Sequence, residues 1–400
     1  MSMGKIVGST MLIMGTLIGG GVLALPMVGI GSGFLSVAAL TIFMWALMLI
    51  TGFLFVEVNL ALPGENSFPS MAQKTLGSLG RLATFVSYLL LLYALVAAYI
   101  SGGGSLLSQL FSLGGINFSS LWGSLLFVFI LGICVFHGIK AVDHVNRYLF
   151  SFKAFFLIAS LVLLTPYVDI SNPLIHHGTV SYIWAAAPIF LCSFGYHVLI
   201  PTITHYLNRD VKTIRRVLIT GTLLTMLIYI YWLFELLGLI SKAQFAAFLH
   251  ARGSTGELIA LVMNQVNNRW IASVINGFAN ITITTSFLGV SLGLVDFLSD
   301  ALKGSISLKR RDIVLLAFIP PTLFALFYPQ GFIVALGYAS ICVAFSHVML
   351  PAMMAWRMRK NCPQSSYRMW GGRTLLVVVF LIGLALIVMQ IMASWLPHLS

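Results

Sequence analysis

Long apolar runs, separated by short polar breaks, constrain this chain more than any other feature. A helix that crosses a bilayer core needs roughly 20 apolar residues. Runs of that order recur at approximately Ile6–Ile30, Phe34–Leu60, Leu82–Leu110, Leu121–Gly138, Tyr148–Tyr167 and Tyr182–Tyr206. They continue at approximately Val217–Leu239, Ile271–Ala301, Ile313–Tyr328, Gly331–Trp356 and Thr374–Trp395. This spacing predicts an all-α integral membrane protein with about eleven transmembrane helices. The ninth run is short and carries Pro320-Pro321. Only 8% of the residues are charged, against roughly 25% in a soluble domain. That shortfall disfavours a soluble enzyme, a nucleic-acid binder and a disordered scaffold together. The formal net charge is +12, but the basic residues sit in short clusters between apolar runs, so they carry topology rather than a binding face.

Orientation follows from those clusters. One set of loops and helix ends holds Lys5, Lys74, Arg81, Lys140, Arg147, Lys153, Arg209, Lys212, Arg215 and Arg216. It also holds Lys303, Lys309, Arg310, Arg311, Arg357, Arg359, Lys360, Arg368 and Arg373, whereas the opposite face has only Lys242, Arg252 and Arg269. Positive charge accumulates on the cytoplasmic side. The expected arrangement is therefore N-terminus cytoplasmic and C-terminus outside, with an odd number of spans. The start of the chain resembles a signal sequence, but it has no cleavage box of small residues and reads as a retained first span. The longest outer loop is expected near Ser241–Asn268. Cys134, Cys192, Cys342 and Cys362 show no CxxC spacing, and His137, His144, His205 and His347 show no metal-ligand spacing. A disulfide framework, a zinc site and any cofactor are not expected.

Two spans depart from ordinary membrane helices. The first contains Gly15-Thr16-Leu17-Ile18-Gly19-Gly20-Gly21, then Pro26; the sixth contains Pro188, then Cys192-Ser193-Phe194-Gly195-Tyr196-His197, then Pro201. Glycine is permissive and proline removes a donor, so both stretches are expected to unwind near mid-membrane. Unpaired backbone at that depth is tolerated only in a cavity wall or buried in protein. The breaks open two five-span halves, which points to an inverted-repeat transporter with its site between the broken helices. The plainer explanation is close packing of helices on small residues.

These stretches resemble the hydroxy/aromatic amino acid permeases. Resemblance lies in the first-span run through Pro26, in Tyr93-Ala94-Leu95-Val96-Ala97-Ala98-Tyr99-Ile100-Ser101-Gly102 and in Ser193-Phe194-Gly195-Tyr196-His197. It continues in Thr285-Ser286-Phe287-Leu288-Gly289-Val290 and Phe324-Ala325-Leu326-Phe327-Tyr328-Pro329. It runs end to end and is strongest toward the tyrosine-specific permeases. What it implies is a LeuT-like fold of five-plus-five inverted repeats with discontinuous helices 1 and 6. The repeats would be residues 1–177 and 178–357, followed by a loop and last helix in 358–400. Its implied activity is proton-coupled uptake of aromatic amino acids across the bacterial inner membrane, in the amino acid–polyamine–organocation superfamily.

An amino acid zwitterion in a membrane needs both charges met locally. A half-helix starting after Gly19-Gly20-Gly21 offers free N–H groups to the carboxylate. Carbonyls near Gly15, Thr16, Cys192 and Ser193 are expected to meet the ammonium. No acidic side chain lies in either broken stretch, which argues against a polyamine or a basic amino acid. For the substrate's ring the candidates are Tyr99, Phe194, Tyr196 and Phe287, with His197 bonding a phenol or an indole N–H; each is equally an ordinary core residue.

Lys153 lies inside the fifth span, where a lysine is costly and functional by default, or else snorkels to the surface. Thr285 and Ser286 lie on the eighth span, where related sodium-coupled transporters place hydroxyl ligands. A lysine ammonium in that ion's position, loading and unloading its proton, would replace sodium. Asp296 and Asp300, spaced i,i+4, share one face of the eighth span near its cytoplasmic end, and Lys5 opens the first span on the same side; an ion pair between Lys5 and either aspartate would close an inner gate, with exposed helix-end charges as the alternative. Glu57 and Glu235 are further proton sites or locally paired carboxylates. Rival functions are a sodium-coupled or exchange carrier of another neutral amino acid, a channel, and a membrane enzyme, which lacks HExxH and GxSxG motifs.

Overall fold

A computed structural model describes residues 3–62, 67–179, 182–302, 309–361 and 367–395. Lys303 and Cys362 lie outside the described residues. The described chain is helices and turns, with no strand among those residues. The helices are α1 (Met3–Leu17), α2 (Gly20–Gly29), α3 (Phe34–Ala61), α4 (Phe68–Leu113), α5 (Ser120–Phe136), α6 (Ile139–Leu164), α7 (Pro173–His176), α8 (Tyr182–Cys192) and α9 (Ile200–Tyr206). They continue as α10 (Val211–Leu239), α11 (Lys242–His250), α12 (Thr255–Val266), α13 (Arg269–Leu302), α14 (Arg310–Phe327), α15 (Phe332–Val343), α16 (Leu350–Asn361) and α17 (Gly372–Trp395).

Eight helical stretches among the described residues are long and apolar enough to cross a membrane, or nine if α1 and α2, bent by 47° at their junction, form one span. The chain is a multi-pass membrane protein. The expected fourth and ninth spans fall on α5 and α14, of 17 and 18 residues. At 1.5 Å per residue, helices of that length reach about 26 Å, short of a core of roughly 30 Å. The expected third span starts earlier than the apolar run does. Within Phe68–Leu113 two helices meet at a kink at Gly77, whose φ of +80° and ψ of −165° are not helical, so a short helix precedes the one that carries the apolar run.

The most extensive helix contacts join α4 to α5, α13 to α4 and α6, α15 to α4, and α10 to α1 and α3. By contrast, α6 and α17 are only 22% buried along their most apolar windows. They present Phe155, Ile158, Leu381 and Leu384 outward, as a surface facing lipid tails does. The loop expected at Ser241–Asn268 folds into α11 and α12, each opened by a capping box, Ser241 with Gln244 and Ser254 with Glu257.

Glu57 has a partner. The Arg359 guanidinium donates from Nε to Oε1 and from Nη2 to Oε2, both at 2.8 Å, and the Met369 amide donates to Oε2 at 2.8 Å. This buried pair ties α3 to α16 and to the segment leading into α17. Arg209 donates to the carbonyls of Leu60 and Leu62 at 2.6 and 3.2 Å, meeting acceptors that the end of α3 leaves unpaired.

Candidate functional site

Both expected interruptions are present. After α1 ends at Leu17, the chain turns through Ile18 and Gly19 and restarts at Gly20; Gly19 sits at φ −125°, ψ −149° with no side chain capping α2. The first amides of a helix have no partner within it; here the Val22 amide donates to the Gly19 carbonyl at 3.1 Å, which leaves those of Gly20 and Gly21 at the opening of α2. After α8 ends at Cys192, residues Ser193–Tyr196 are not helical, a 3₁₀ turn spans His197–Leu199, and α9 follows. Tyr229 of α10 bridges the two breaks, its hydroxyl set against the carbonyls of Leu17 and Ser193 at 2.5 and 3.1 Å.

A cavity of about 760 Å³ lies at these breaks. Its walls are helical stripes. Gly8, Met11, Leu12, Gly15, Thr16 and Gly19 come from the first span and Tyr88, Leu91, Leu92, Leu95 and Tyr99 from α4. Asp143, Asn146, Arg147, Phe150 and Lys153 come from α6 and Ser286, Gly289, Val290 and Gly293 from α13. Each stripe follows the spacing of three or four residues that puts side chains on one helix face. Cys192 and Ser193 complete the lining at the second break, and α15 adds Leu336 and Val343.

Lys153 is 4% exposed. Its ammonium donates to the carbonyls of Gly15 and Ile18 at 3.1 and 2.8 Å, so it is bound to the first break rather than snorkelling to a surface. The wall hydroxyls spend their protons on their own helices. Thr16 donates to the Leu12 carbonyl, Ser193 to Ile189, and Thr285 and Ser286 both to Thr282, at 2.9–3.1 Å. Toward the cavity they offer lone pairs, the right chemistry for a cation.

The three consecutive glycines face three different neighbours. A Cβ at Gly19 would stand 2.7 Å from Ser286 Oγ, at Gly20 2.5 Å from Tyr99 Cε1, and at Gly21 2.7 Å from Ser193 Oγ. They let α4, α8 and α13 close on the break. Open space lies instead beside Gly8, Gly289 and Gly293, where an added Cβ meets nothing within 4 Å.

Of the expected ring contacts, Tyr99 lines the cavity, whereas Phe194, Tyr196, His197 and Phe287 do not. Phe194 packs edge-on against Tyr229 at 5.3 Å. Tyr196 turns toward α3, where its hydroxyl donates to the Met48 carbonyl at 3.3 Å. His197 turns the same way, with Nε2 at 2.9 Å from the Thr51 hydroxyl. Phe287 lies off the α13 stripe and contacts Phe127 and Phe318. Nor are the expected gate residues joined. The Lys5 ammonium donates to the Tyr206 carbonyl at 3.5 Å and sits 5.0 Å from its ring centre, while Asp296 and Asp300 are exposed. Tyr229 and His347, both at the breaks or on the cavity wall, escaped the sequence reading. Each is a polar ring inside an apolar run, which needs a partner when buried.

A bundle of membrane helices broken at two facing points around a central cavity defines a membrane transport protein rather than an enzyme. Residues 2–390 match the tryptophan/tyrosine permease family, and the chain belongs to that family. It is 37% identical to tyrosine-specific transport system 1 of Haemophilus influenzae over 401 residues, covering 99% of both chains. It is also 37% identical to tyrosine-specific transport system 2 of the same organism, over 98% of this chain and 97% of that one. The tryptophan-specific transport protein of Pseudomonas aeruginosa is 33% identical over 98% of this chain and 96% of that one.

Proposed function

We propose that the protein is a proton-coupled symporter that imports aromatic amino acids, tyrosine first, across the bacterial inner membrane by alternating access. The names of its relatives support the substrate class. An aromatic amino acid would set its carboxylate on the opening amides of α2 and its ammonium on carbonyls at the two breaks, with its ring beside Tyr99. In this reading the two repeats are residues 1–177 and 178–357, the short α5 and α14 complete eleven spans, and the N-terminus is cytoplasmic. Lys5 with Asp296 or Asp300 would then close the inner end in another state.

Proton coupling rests on one observation, the Lys153 ammonium bound to the carbonyls of Gly15 and Ile18 at the cavity wall. A tethered cation cannot diffuse away as sodium does. If α1 swings, the ammonium loses both acceptors, and releasing its proton removes an uncompensated charge from the membrane interior. The test is labelled tyrosine uptake into proteoliposomes under separately imposed pH and sodium gradients. Accumulation driven by pH in the wild type, and lost in Lys153→Ala while exchange of tyrosine for tyrosine persists, is the expected result. Uptake driven by sodium alone, or pH-driven uptake unchanged in Lys153→Ala, sinks this coupling and favours a sodium-coupled or exchange carrier.

A further inference from the structure

His347 has no part in the mechanism above, yet it lines the cavity. It sits in a π-helical turn, Ala344–Met349, between α15 and α16. Such turns insert an extra residue into a helix, re-aim its side chains and recur at functional sites. The ring is held on two sides, by His197 edge-on with centres 4.9 Å apart and by Phe68 at 5.8 Å.

Its hydrogen bonding fixes which nitrogen holds the proton. The Ser346 hydroxyl donates its single hydrogen to the Cys342 carbonyl at 2.6 Å. Toward His347 Nδ1, at 2.7 Å, that oxygen can only accept. Nδ1 therefore carries the hydrogen, and Nε2 keeps a bare lone pair. Among the described residues nothing bonds Nε2. Unlike Nδ1 of His197, which is sealed off from solvent and unpartnered, it is not a buried orphan. The cavity thus has an oriented acceptor, with apolar Leu336 and Val343 on its own wall and, on α4 against which α15 packs, Leu91, Leu92 and Leu95 together with Tyr88.

We propose that His347 is the specificity residue that reads the polar edge of the substrate's ring: its Nε2 accepts a hydrogen bond from a phenol O–H. Ser346 is the positioning residue that fixes the tautomer. An acceptor favours rings bearing a donor over plain or capped rings. This inference rests on the aromatic amino acid reading and refines its ring subsite.

The experiment uses purified full-length protein in proteoliposomes, with labelled tyrosine and unlabelled competitors. Tyrosine and 4-aminophenylalanine, which offer donors, should compete roughly tenfold better than phenylalanine and 4-methoxyphenylalanine, which offer none, as expected for one hydrogen bond. His347→Leu should bring the tyrosine-to-phenylalanine ratio to about one without weakening phenylalanine, and His347→Gln, which retains an acceptor oxygen, should keep part of the preference. An unchanged ratio in His347→Leu overturns the proposal. So does equal competition by the amino and methoxy analogues in the wild type, which needs no variant to fold. Wild-type protein that takes up no aromatic amino acid overturns the functional reading as well; transport with the wrong ratio overturns this inference alone.

Discussion

At the scale of single residues, glycine shows how one amino acid serves two purposes in one cavity. Gly21 faces backbone: a Cβ there would lie 3.1 Å from Ser193 Cα as well as against Ser193 Oγ, and main chain cannot swing aside. Gly21→Ala is therefore expected to destabilise the protein by about 1–3 kcal/mol, as overpacking does. Gly289→Ala, with open space around it, should leave stability unchanged or raise it by up to about 1 kcal/mol, because alanine is the better helix former. Thermal unfolding of the two variants in detergent checks the contrast. The position of the break was legible from Gly19-Gly20-Gly21 and Pro26, but only part of the reason for the glycines was. All three line the cavity, and the space their missing side chains leave is also what lets Ser286, Tyr99 and Ser193 approach. Phe287 reads from the sequence as either a ring contact or an ordinary core residue. The stripe of Ser286, Gly289, Val290 and Gly293, at helical spacing, already placed it on another face.

At the scale of elements, the contact between α3 and α16 depends on a buried ion pair, with the Glu57 and Arg359 side chains 2% and 6% exposed. Removing one partner strands the other charge. Glu57→Ala is expected to cost about 3–5 kcal/mol, and Arg359→Met added to it should recover a large part, since losing both charges also removes their desolvation cost. A double-mutant cycle on unfolding temperature measures that recovery, and simple additivity would refute the coupling. Asp210 caps α10 by accepting from the Lys212 amide at 3.2 Å and the Thr213 hydroxyl at 2.5 Å. The Thr213 bond, ahead of its backbone bonds and the Lys212 charge, holds its carboxyl below the ordinary aspartate value of 3.8, against some opposing burial. Stability from this cap is thus complete above the unfolded value and vanishes as pH falls through the lower folded one. Asp210→Ala should therefore melt lower than the wild type at neutral pH, and the gap should close in acid. Helices such as α3 and α10 were readable from their apolar runs, and the capping boxes of α11 and α12 were readable in principle from Ser241 with Gln244 and Ser254 with Glu257. The π turn at His347 was not, because the run around it is apolar on every face and offers no period for an extra residue to shift.

At the scale of the whole molecule, two halves of one question separate: where the hollow lies, and which way it opens. The first followed from backbone that cannot stay unpaired in lipid. The second, on the proposed alternating-access reading, is a balance between conformations of similar energy, which composition does not encode. Here the lining extends along α1 to Gly8 and Met11 and along α6 to Asp143 and Arg147, so the cavity reaches the membrane face on which α1 begins. At that face Lys5 is engaged by Tyr206 rather than by Asp296 or Asp300, which on the proposed gate reading is the open arrangement. If the basic clusters report topology correctly, this face is cytoplasmic and the conformation is inward-open. A cysteine placed at Met11, in a protein stripped of its native cysteines, tests both steps at once. A membrane-impermeant maleimide should label it rapidly in inside-out vesicles and poorly in intact cells, and saturating tyrosine should slow the labelling by filling the cavity. Equal labelling of a lipid-facing control such as Leu381→Cys would mean that Met11 reports no aqueous path. Labelling from the outside of intact cells instead would reverse the topology inferred from the basic clusters.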